Sequence, residues 1–182
     1  MEWERTEPTK VDKVGWRTVV TKTFKLPDGR VDGFQTFNEE DSHNAGVIAL
    51  TPERKVIMVN QYRPAQETMM LEIPGGGVDK HETDFQAAAL RELKEETGYV
   101  SKKVTPLGSV HKDAYNNSTW HYFLAEDCVL HEDGTAHEAN EFIEVDLISI
   151  DELIDNAKNG RMTDVSAVFL AYETLREIQS RK

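Results

Sequence analysis

The chain is poor in cysteine and in long apolar segments, and each shortage excludes a class of protein. Its one cysteine, Cys128, cannot form an internal disulfide, which is typical of a reducing compartment. No apolar run approaches the length of about 20 residues that a membrane-spanning helix needs. The first residues are acidic and lack the apolar segment of a signal peptide. We therefore expect a cytoplasmic protein with no membrane partner.

Positive charge is also scarce. The 182 residues contain 21 Lys and Arg against 33 Asp and Glu, a formal net charge of −12. This is the wrong sign for a protein that grips nucleic acid through its phosphates. Residues 113–157 carry twelve acidic side chains and no Lys or Arg, so the rest of the chain is neutral. We expect no nucleic-acid partner.

Length and turn residues predict one domain with a small N-terminal extension. Apolar residues alternate on both sides of the segment Pro27-Asp28-Gly29-Arg30, a pattern that predicts an antiparallel β-hairpin within residues 14–37. We assign residues 1–40 to this extension and residues 41–182 to the main domain.

The main domain mixes predicted strands and helices. Continuous runs of β-branched residues predict buried strands at 45–50 and 55–60, and further strands follow at 107–110, 120–125 and 142–148. Helices are predicted from Thr83, with a Thr83–Gln86 capping box, to Gly98, and then at 149–159 and 163–180. The last has an apolar face of Val165, Val168, Phe169, Tyr172, Leu175 and Ile178. The pattern predicts an α+β fold, an α/β/α sandwich.

The first predicted helix carries a stripe of carboxylates. Glu92 and Glu96 are i,i+4 neighbours, and Glu95 lies on the same side. Because like charges at this spacing repel, the stripe is either a solvated face, with Arg91 pairing to Glu95, or a divalent-cation site. Carboxylate oxygens suit Mg²⁺ or Mn²⁺. The preceding glycine turn, residues 75–77, favours the metal site.

The segment Arg91-Glu-Leu-Lys-Glu-Glu-Thr-Gly98 resembles the second half of the Nudix hydrolase box, G-x5-E-x7-R-E-U-x-E-E-x-G-U, in which U is apolar. Two alignments of the first half are open. With Gly76 as the box glycine, Glu82 falls in place but one extra residue precedes Arg91. With Gly77, the spacing to Arg91 is regular but Thr83 takes the glutamate position. We prefer the first alignment. The resemblance implies a Nudix fold with a mixed central sheet.

Two further segments resemble the ADP-ribose pyrophosphatase branch of that family: Gln61-Tyr62-Arg63, and the run Leu71-Glu-Ile-Pro-Gly-Gly76. The resemblance implies Mg²⁺-dependent hydrolysis of ADP-ribose, or of a related nucleoside diphosphate sugar, to a nucleoside monophosphate and a sugar phosphate. It also implies a homodimer joined through the N-terminal hairpin.

The resemblance implies roles for individual residues as well. Glu92 and Glu96 would be the principal metal ligands, with Glu95 and the Gly75 carbonyl as further ligands. Arg91 and Glu95 would belong to the catalytic set, together with a general base, Glu138 or Glu141. Contacts to the substrate would come from Arg63, Glu72, Gly76 and Tyr115.

Other activities stay open at this point. Tyr115 resembles a tyrosine of diadenosine-polyphosphate hydrolases, and GDP-mannose is another candidate substrate. The irregular spacing between Glu82 and Arg91 motivates a third hypothesis, a nucleotide-sugar-binding module that has lost catalysis.

Overall fold

The predicted N-terminal hairpin is present and is part of a four-stranded sheet. Its strands are β1 (Glu4–Arg5), β2 (Lys10–Val14), β3 (Arg17–Lys25) and β4 (Val31–Phe37). Strand β3 pairs antiparallel with each of the other three. The turn closes where Leu26 N–H donates to the Arg30 carbonyl at 2.7 Å and Gly29 adopts a positive φ of 86°. The residues of the turn itself therefore determine where the chain reverses between β3 and β4.

The structure is a computed structural model that describes residues 2–6, 9–136 and 142–181. The chain divides into an N-terminal unit, Met1–His43 with His111–Trp120, and a main unit, Asn44–Val110 with His121–Lys182. The N-terminal unit thus includes a segment far along the chain in addition to residues 1–40. The proposed role of residues 1–40 in dimerisation stays a prediction.

The main unit is built on a seven-stranded mixed sheet. Its strands are β5 (His43–Leu50), β6 (Val56–Arg63), β7 (Thr68–Glu72), β8 (Gly75–Gly77), β10 (Lys103–His111), β11 (Thr119–Glu126) and β13 (Glu144–Ile148). Their order is β10-β11-β5-β6-β13, with β7 paired to β6 and β8 paired to β5. A small separate pair joins β9 (Tyr99–Val100) to β12 (Val129–Leu130).

Three helices accompany this sheet: α1 (Phe85–Thr97), α2 (Ile150–Lys158) and α3 (Val165–Ser180). Ala45, Val47 and Ala49 on one face of β5 share a buried cluster with Ala88, Ala89 and Leu93 of α1. Ile48 and Leu50 point to the opposite face of the strand and are also buried. A strand covered on both faces is what a sandwich requires. The predicted α+β sandwich is therefore confirmed.

The helix ends follow local chemistry, with one correction. Helix α1 begins at Phe85 rather than near Thr83, because Asp84 is its N-cap and accepts from the amides of Gln86 and Ala87 at 3.1 and 3.0 Å. The Thr83–Gln86 capping box was wrong. Gly98 ends the helix in the left-handed conformation at φ 73°, as predicted.

The predicted apolar face of α3 was partly wrong. Phe169 is 80% exposed and Val165 is 42% exposed. The side of the helix that packs inward carries smaller residues as well: Ala167, Val168, Ala171, Leu175 and Ile178. None of the helices in the described parts of the chain is both long and apolar enough to cross a membrane.

Candidate active site

The glycine turn forms the short strand β8, which pairs antiparallel with the start of β5. Gly75 lies opposite Gly46 in this pairing. A Cβ atom on Gly75 would lie 2.6 Å from the Ala45 carbonyl oxygen and 2.7 Å from Gly46 Cα. The close approach of the two backbones therefore requires glycine at position 75.

At Gly76 it is a carboxylate, rather than another strand, that approaches the backbone closely. A Cβ atom at this position would lie 2.8 Å from the carboxylate carbon and both oxygens of Glu92. Because Gly76 has no side chain, the Glu92 carboxylate can lie directly against the backbone of the turn. Gly77 has open space around its missing Cβ.

Glu96 joins helix α1 to the same turn. Its Oε2 accepts the backbone N–H of Gly75 at 2.9 Å, and the residue is 5% exposed. A buried carboxylate needs such a donor, because its charge is costly to remove from water. This hydrogen bond holds the end of the carboxylate stripe against the glycine turn.

Arg91 forms ion pairs with the other two carboxylates. Its Nη1 atom lies 2.9 Å from Glu92 Oε1 and 2.8 Å from Glu95 Oε2, and its Nη2 donates to the Gly77 carbonyl at 3.3 Å. Burial opposes the charge of Arg91, but Glu92 and Glu95 outweigh it and raise the pKa of the guanidinium. Arg91 is therefore a permanent cation that organises the stripe.

Glu82 also reaches Arg91. Its Oε2 lies 3.8 Å from Arg91 Nη2, within ion-pair distance, in spite of the extra residue between the two positions. The geometry favours the alignment that takes Gly76 as the box glycine, because the side chain at position 82 contacts the arginine that follows in the box.

The glycine turn, Arg91 and the three carboxylates of the predicted stripe line one cavity. The lining is Gly75, Gly76, Gly77, Asp79, Arg91, Glu92, Glu95, Glu96 and Ala136. In this arrangement no three His, Cys, Asp or Glu side chains among the described residues converge closely enough to surround one ion. The candidate metal ligands are nevertheless all hard oxygen atoms. The glycine turn allows the carboxylates of Glu92 and Glu96 to approach its backbone closely. This donor set fits a divalent cation.

Arg63 and Glu72, which the sequence predicts as two separate substrate contacts, bind each other. Arg63 Nε donates to Glu72 Oε2 at 2.6 Å, and its Nη2 contacts the same oxygen. The Glu72 residue is 1% exposed, whereas the Arg63 side chain is 41% exposed. Strands β6 and β7 place the pair on one face of the sheet, since Val59 lies opposite Glu72 and Thr68 lies opposite Arg63.

The remaining predicted residues lie elsewhere. Tyr115 is in the N-terminal unit, where it is 66% exposed and its carbonyl accepts the Phe37 N–H at 2.7 Å. Glu138 and Glu141, the two candidates for general base, lie outside the described residues. The predicted roles of these three residues stay predictions.

Sequence reasoning missed the residues that surround Glu72. The Thr163 hydroxyl donates to Glu72 Oε1 from 91 positions along the chain, and Gln61 Nε2 lies 3.4 Å from Glu72 Oε2. Gln61 stood in a segment quoted for its resemblance, but the sequence marked Thr163 only as the first residue of the last predicted helix. That helix begins at Val165, with Asp164 at its N-cap position, so Thr163 lies just before it.

Comparison with known proteins identifies the family. Residues 42–170 match the NUDIX domain. This match covers most of the chain and includes the glycine turn, α1 and both strands of the Arg63–Glu72 pair. The chain therefore belongs to the NUDIX family, and it is a Nudix hydrolase by its box helix and glycine turn. Nudix hydrolases generally need a divalent metal ion.

Two relatives and one solved structure are similar to this chain over most of its length. An ADP-ribose pyrophosphatase of Bacillus subtilis is 30% identical over 87% of this chain and 85% of its own length. A methanol dehydrogenase activator of Bacillus methanolicus is 32% identical with the same two coverages. The crystal structure of an ADP compounds hydrolase superposes with a TM-score of 0.74, at 20% identity, over 100% of this chain and 95% of that one. That last likeness concerns the fold.

Proposed function

We propose that this protein hydrolyses the pyrophosphate of ADP-ribose, or of a related nucleoside diphosphate sugar, to a nucleoside monophosphate and a sugar phosphate. The observation that carries the proposal is the packing of Glu92 and Glu96 against the Gly75–Gly76 backbone in one cavity with Glu95. The similarity to an ADP-ribose pyrophosphatase over 87% of the chain supports the choice of substrate.

The residues present fit Mg²⁺ or Mn²⁺ held by Glu92, Glu96, Glu95 and the Gly75 carbonyl. Such an ion would mask the anionic diphosphate and make its bound water more acidic. Arg91 holds Glu92 and Glu95 in place through its two ion pairs at 2.9 and 2.8 Å. Glu138 or Glu141 would take the proton of the attacking water as general base.

On the substrate side, Arg63 would contact the diphosphate or the terminal ribose, because a guanidinium presents a planar fork to anionic oxygens. Glu72 would act together with Arg63, to which it is bonded at 2.6 Å. The Gly76 backbone and Tyr115 would complete the contacts. The net charge of −12 supports a small-molecule substrate rather than a nucleic acid.

We also propose that the protein is cytoplasmic and forms a homodimer through its N-terminal strands. A single cysteine, buried and free, supports the location. Apolar side chains exposed on the N-terminal unit support the dimer: Val11, Val14, Trp16, Val31 and Phe37.

A substrate panel tests the activity. The purified chain is incubated with ADP-ribose, GDP-mannose, UDP-glucose and diadenosine polyphosphates, with Mg²⁺, with Mn²⁺ and with chelator. We expect ADP-ribose to be hydrolysed fastest, and chelator to abolish turnover. Absence of metal-dependent turnover of every compound, together with calorimetric binding of ADP-ribose, would instead favour a binding module that has lost catalysis.

The variant Glu96→Gln tests the role of the stripe. The amide keeps an oxygen that can accept the Gly75 N–H, so the fold should persist, but the ligand charge is lost. We expect kcat to fall by about 100-fold or more, the scale on which single groups act in transition-state stabilisation. Glu173→Gln, on the exposed surface of α3, is the matched control and should leave kcat unchanged. If Glu96→Gln turns over substrate at the wild-type rate, Glu96 is not a ligand of the metal site.

A further inference from the structure

A chain of hydrogen bonds lies behind Arg63, with the buried Glu72 between Arg63 and the exposed Thr163. Glu72 divides its two carboxylate oxygens between different donors: Oε2 accepts from Arg63 at 2.6 Å and from Gln61 at 3.4 Å, while Oε1 accepts from the Thr163 hydroxyl. The exposed fraction of Glu72 is 1%. Its orientation is therefore determined by protein groups rather than by water.

Thr163 has one hydroxyl proton and two nearby carboxylates. Its oxygen lies 3.4 Å from Asp164 Oδ2, whereas its contact with Glu72 is the shorter of the two. Asp164, which is 5% exposed, also accepts from the buried Tyr122 hydroxyl at 3.3 Å. A hydroxyl has only one hydrogen to donate. The Thr163 hydroxyl therefore donates to Glu72, and the Tyr122 hydroxyl donates to Asp164.

Arg63 is the outer end of this chain. Its Nε and Nη2 face Glu72, and Nη1 makes no hydrogen bond to any residue that the structure describes. The side chain is 41% exposed, so part of the fork is open to a ligand. Binding an anion then requires no reordering of the guanidinium, which removes a cost that flexible side chains carry.

We propose that Thr163 is a positioning residue for the nucleotide-sugar substrate: its hydroxyl holds the Glu72 carboxylate, and Glu72 holds the Arg63 fork in the binding orientation. The inference rests on the proposed function. The terminal torsion of a glutamate is broad and roughly two-fold. Without the Thr163 hydroxyl, Glu72 can turn about that torsion and Arg63 loses its fixed plane.

The variant Thr163→Val keeps the side-chain shape and removes the hydroxyl. We expect KM for ADP-ribose to rise about tenfold, the change that corresponds to ~1.4 kcal/mol, while kcat changes less than about threefold. Thr163→Ser restores the hydroxyl and should restore KM. Thr174→Val, a half-buried threonine of α3 outside this chain of bonds, is the matched control and should leave both constants unchanged.

A double-mutant cycle separates positioning from a general structural effect. If Thr163 acts through Arg63, Thr163→Val should raise KM in the wild type but change it less than about twofold in an Arg63→Ala background, a non-additive pair. Thermal melts of all four proteins show whether they are folded. If Thr163→Val does not fold, Thr163→Ala is used in the same cycle.

Each other outcome counts against the proposal. Additive effects on KM, an equal loss in kcat, or failure of Thr163→Ser to restore KM would overturn the positioning role while leaving the proposed hydrolysis intact. Absence of turnover of every compound by the wild type would overturn the proposed function and this inference with it.

Discussion

Each glycine of the 75–77 turn meets different neighbours, and the site depends on the difference. The missing Cβ of Gly75 leaves room for backbone atoms of β5, that of Gly76 leaves room for the Glu92 carboxylate, and that of Gly77 faces open space. Backbone cannot move aside without disturbing a strand pair, whereas a carboxylate at the end of a flexible side chain can. Replacement at the three positions should therefore have three separate results.

The variant Gly76→Ala should lose activity and keep stability. The new methyl group would displace Glu92 from the turn, so we expect kcat/KM to fall roughly tenfold or more, because a metal ligand must be held within ~0.5 Å. The melting temperature should change little, since only a side-chain end moves. Metal-dependent turnover and a thermal melt measure the two effects.

Two neighbouring variants serve as its controls. Gly77→Ala should retain wild-type activity, because nothing lies within 4 Å of its added Cβ. Gly75→Ala should instead destabilise the fold by about 1–3 kcal/mol, the usual cost of overpacking. Equal activity losses in Gly76→Ala and Gly77→Ala would contradict the assigned role of the Glu92 contact.

Side-chain hydrogen bonds hold strand β1 in place. It has two residues, and Arg5 within it donates to both oxygens of Glu40, at 2.7 and 2.5 Å. Thr9 donates to the same carboxylate at 2.9 Å. The hydrogen bonds from Arg5, followed by that from Thr9 and the charge of Lys22, lower the pKa of Glu40 to about 2, against the opposing effect of burial.

This shift predicts how stability depends on pH. Since the folded pKa of about 2 lies below the ordinary 4.5, the stabilisation by Glu40 is present above pH 4.5 and is lost as the pH falls towards 2. We expect Glu40→Gln to lower the urea midpoint at pH 6, and the difference from wild type to vanish towards pH 2. Because both side chains are more than one third exposed, salt should also reduce the difference.

The control for this element is Glu4→Gln in the same strand, for which the structure shows no side-chain partner among the described residues. Its urea midpoint should differ little from wild type at either pH. A Glu40→Gln difference that is as large near pH 2 as at pH 6 would show that the effect comes from something other than the carboxylate charge.

At the scale of the whole molecule, charge and apolar surface are distributed unevenly. All of the net −12 falls within residues 113–157, outside the box helix. Large apolar side chains are exposed on both units, for example Phe169 at 80% on the main unit and Trp16 at 82% on the N-terminal unit, but the N-terminal unit has fewer residues and so carries them more densely. A dense group of exposed apolar side chains is typical of an association surface.

The proposed dimer predicts a mass of twice the 20.7 kDa of one chain. Light scattering at micromolar concentration measures it directly. Trp16→Glu should shift the protein towards monomer, because a charge cannot be buried in an apolar interface without a partner. Phe169→Glu, at a residue 80% exposed on α3, is the matched control and should leave the mass unchanged. A wild-type monomer would remove the dimer proposal.

Predictions from the sequence succeeded where chemistry within a few residues decides the outcome. The hairpin turn at Pro27-Asp28-Gly29-Arg30 and the end of α1 at Gly98 were both read from the sequence and are present in the structure. The start of α1 was missed by two residues, because Thr83 and Asp84 can each cap a helix and the path of the chain selects one. Phe169 was misplaced because helical periodicity does not say which side of α3 packs inward.

The sequence by itself determined the carboxylate stripe and its glycine turn, since the spacing of Glu92, Glu95 and Glu96 on a helix requires no information from elsewhere in the chain. Only the tertiary structure decided that Glu72 is buried and that Thr163 donates to it across 91 positions. The reason is physical: helical geometry fixes neighbours three or four residues apart, whereas burial and long-range hydrogen bonds arise when β7 and the segment before α3 pack together.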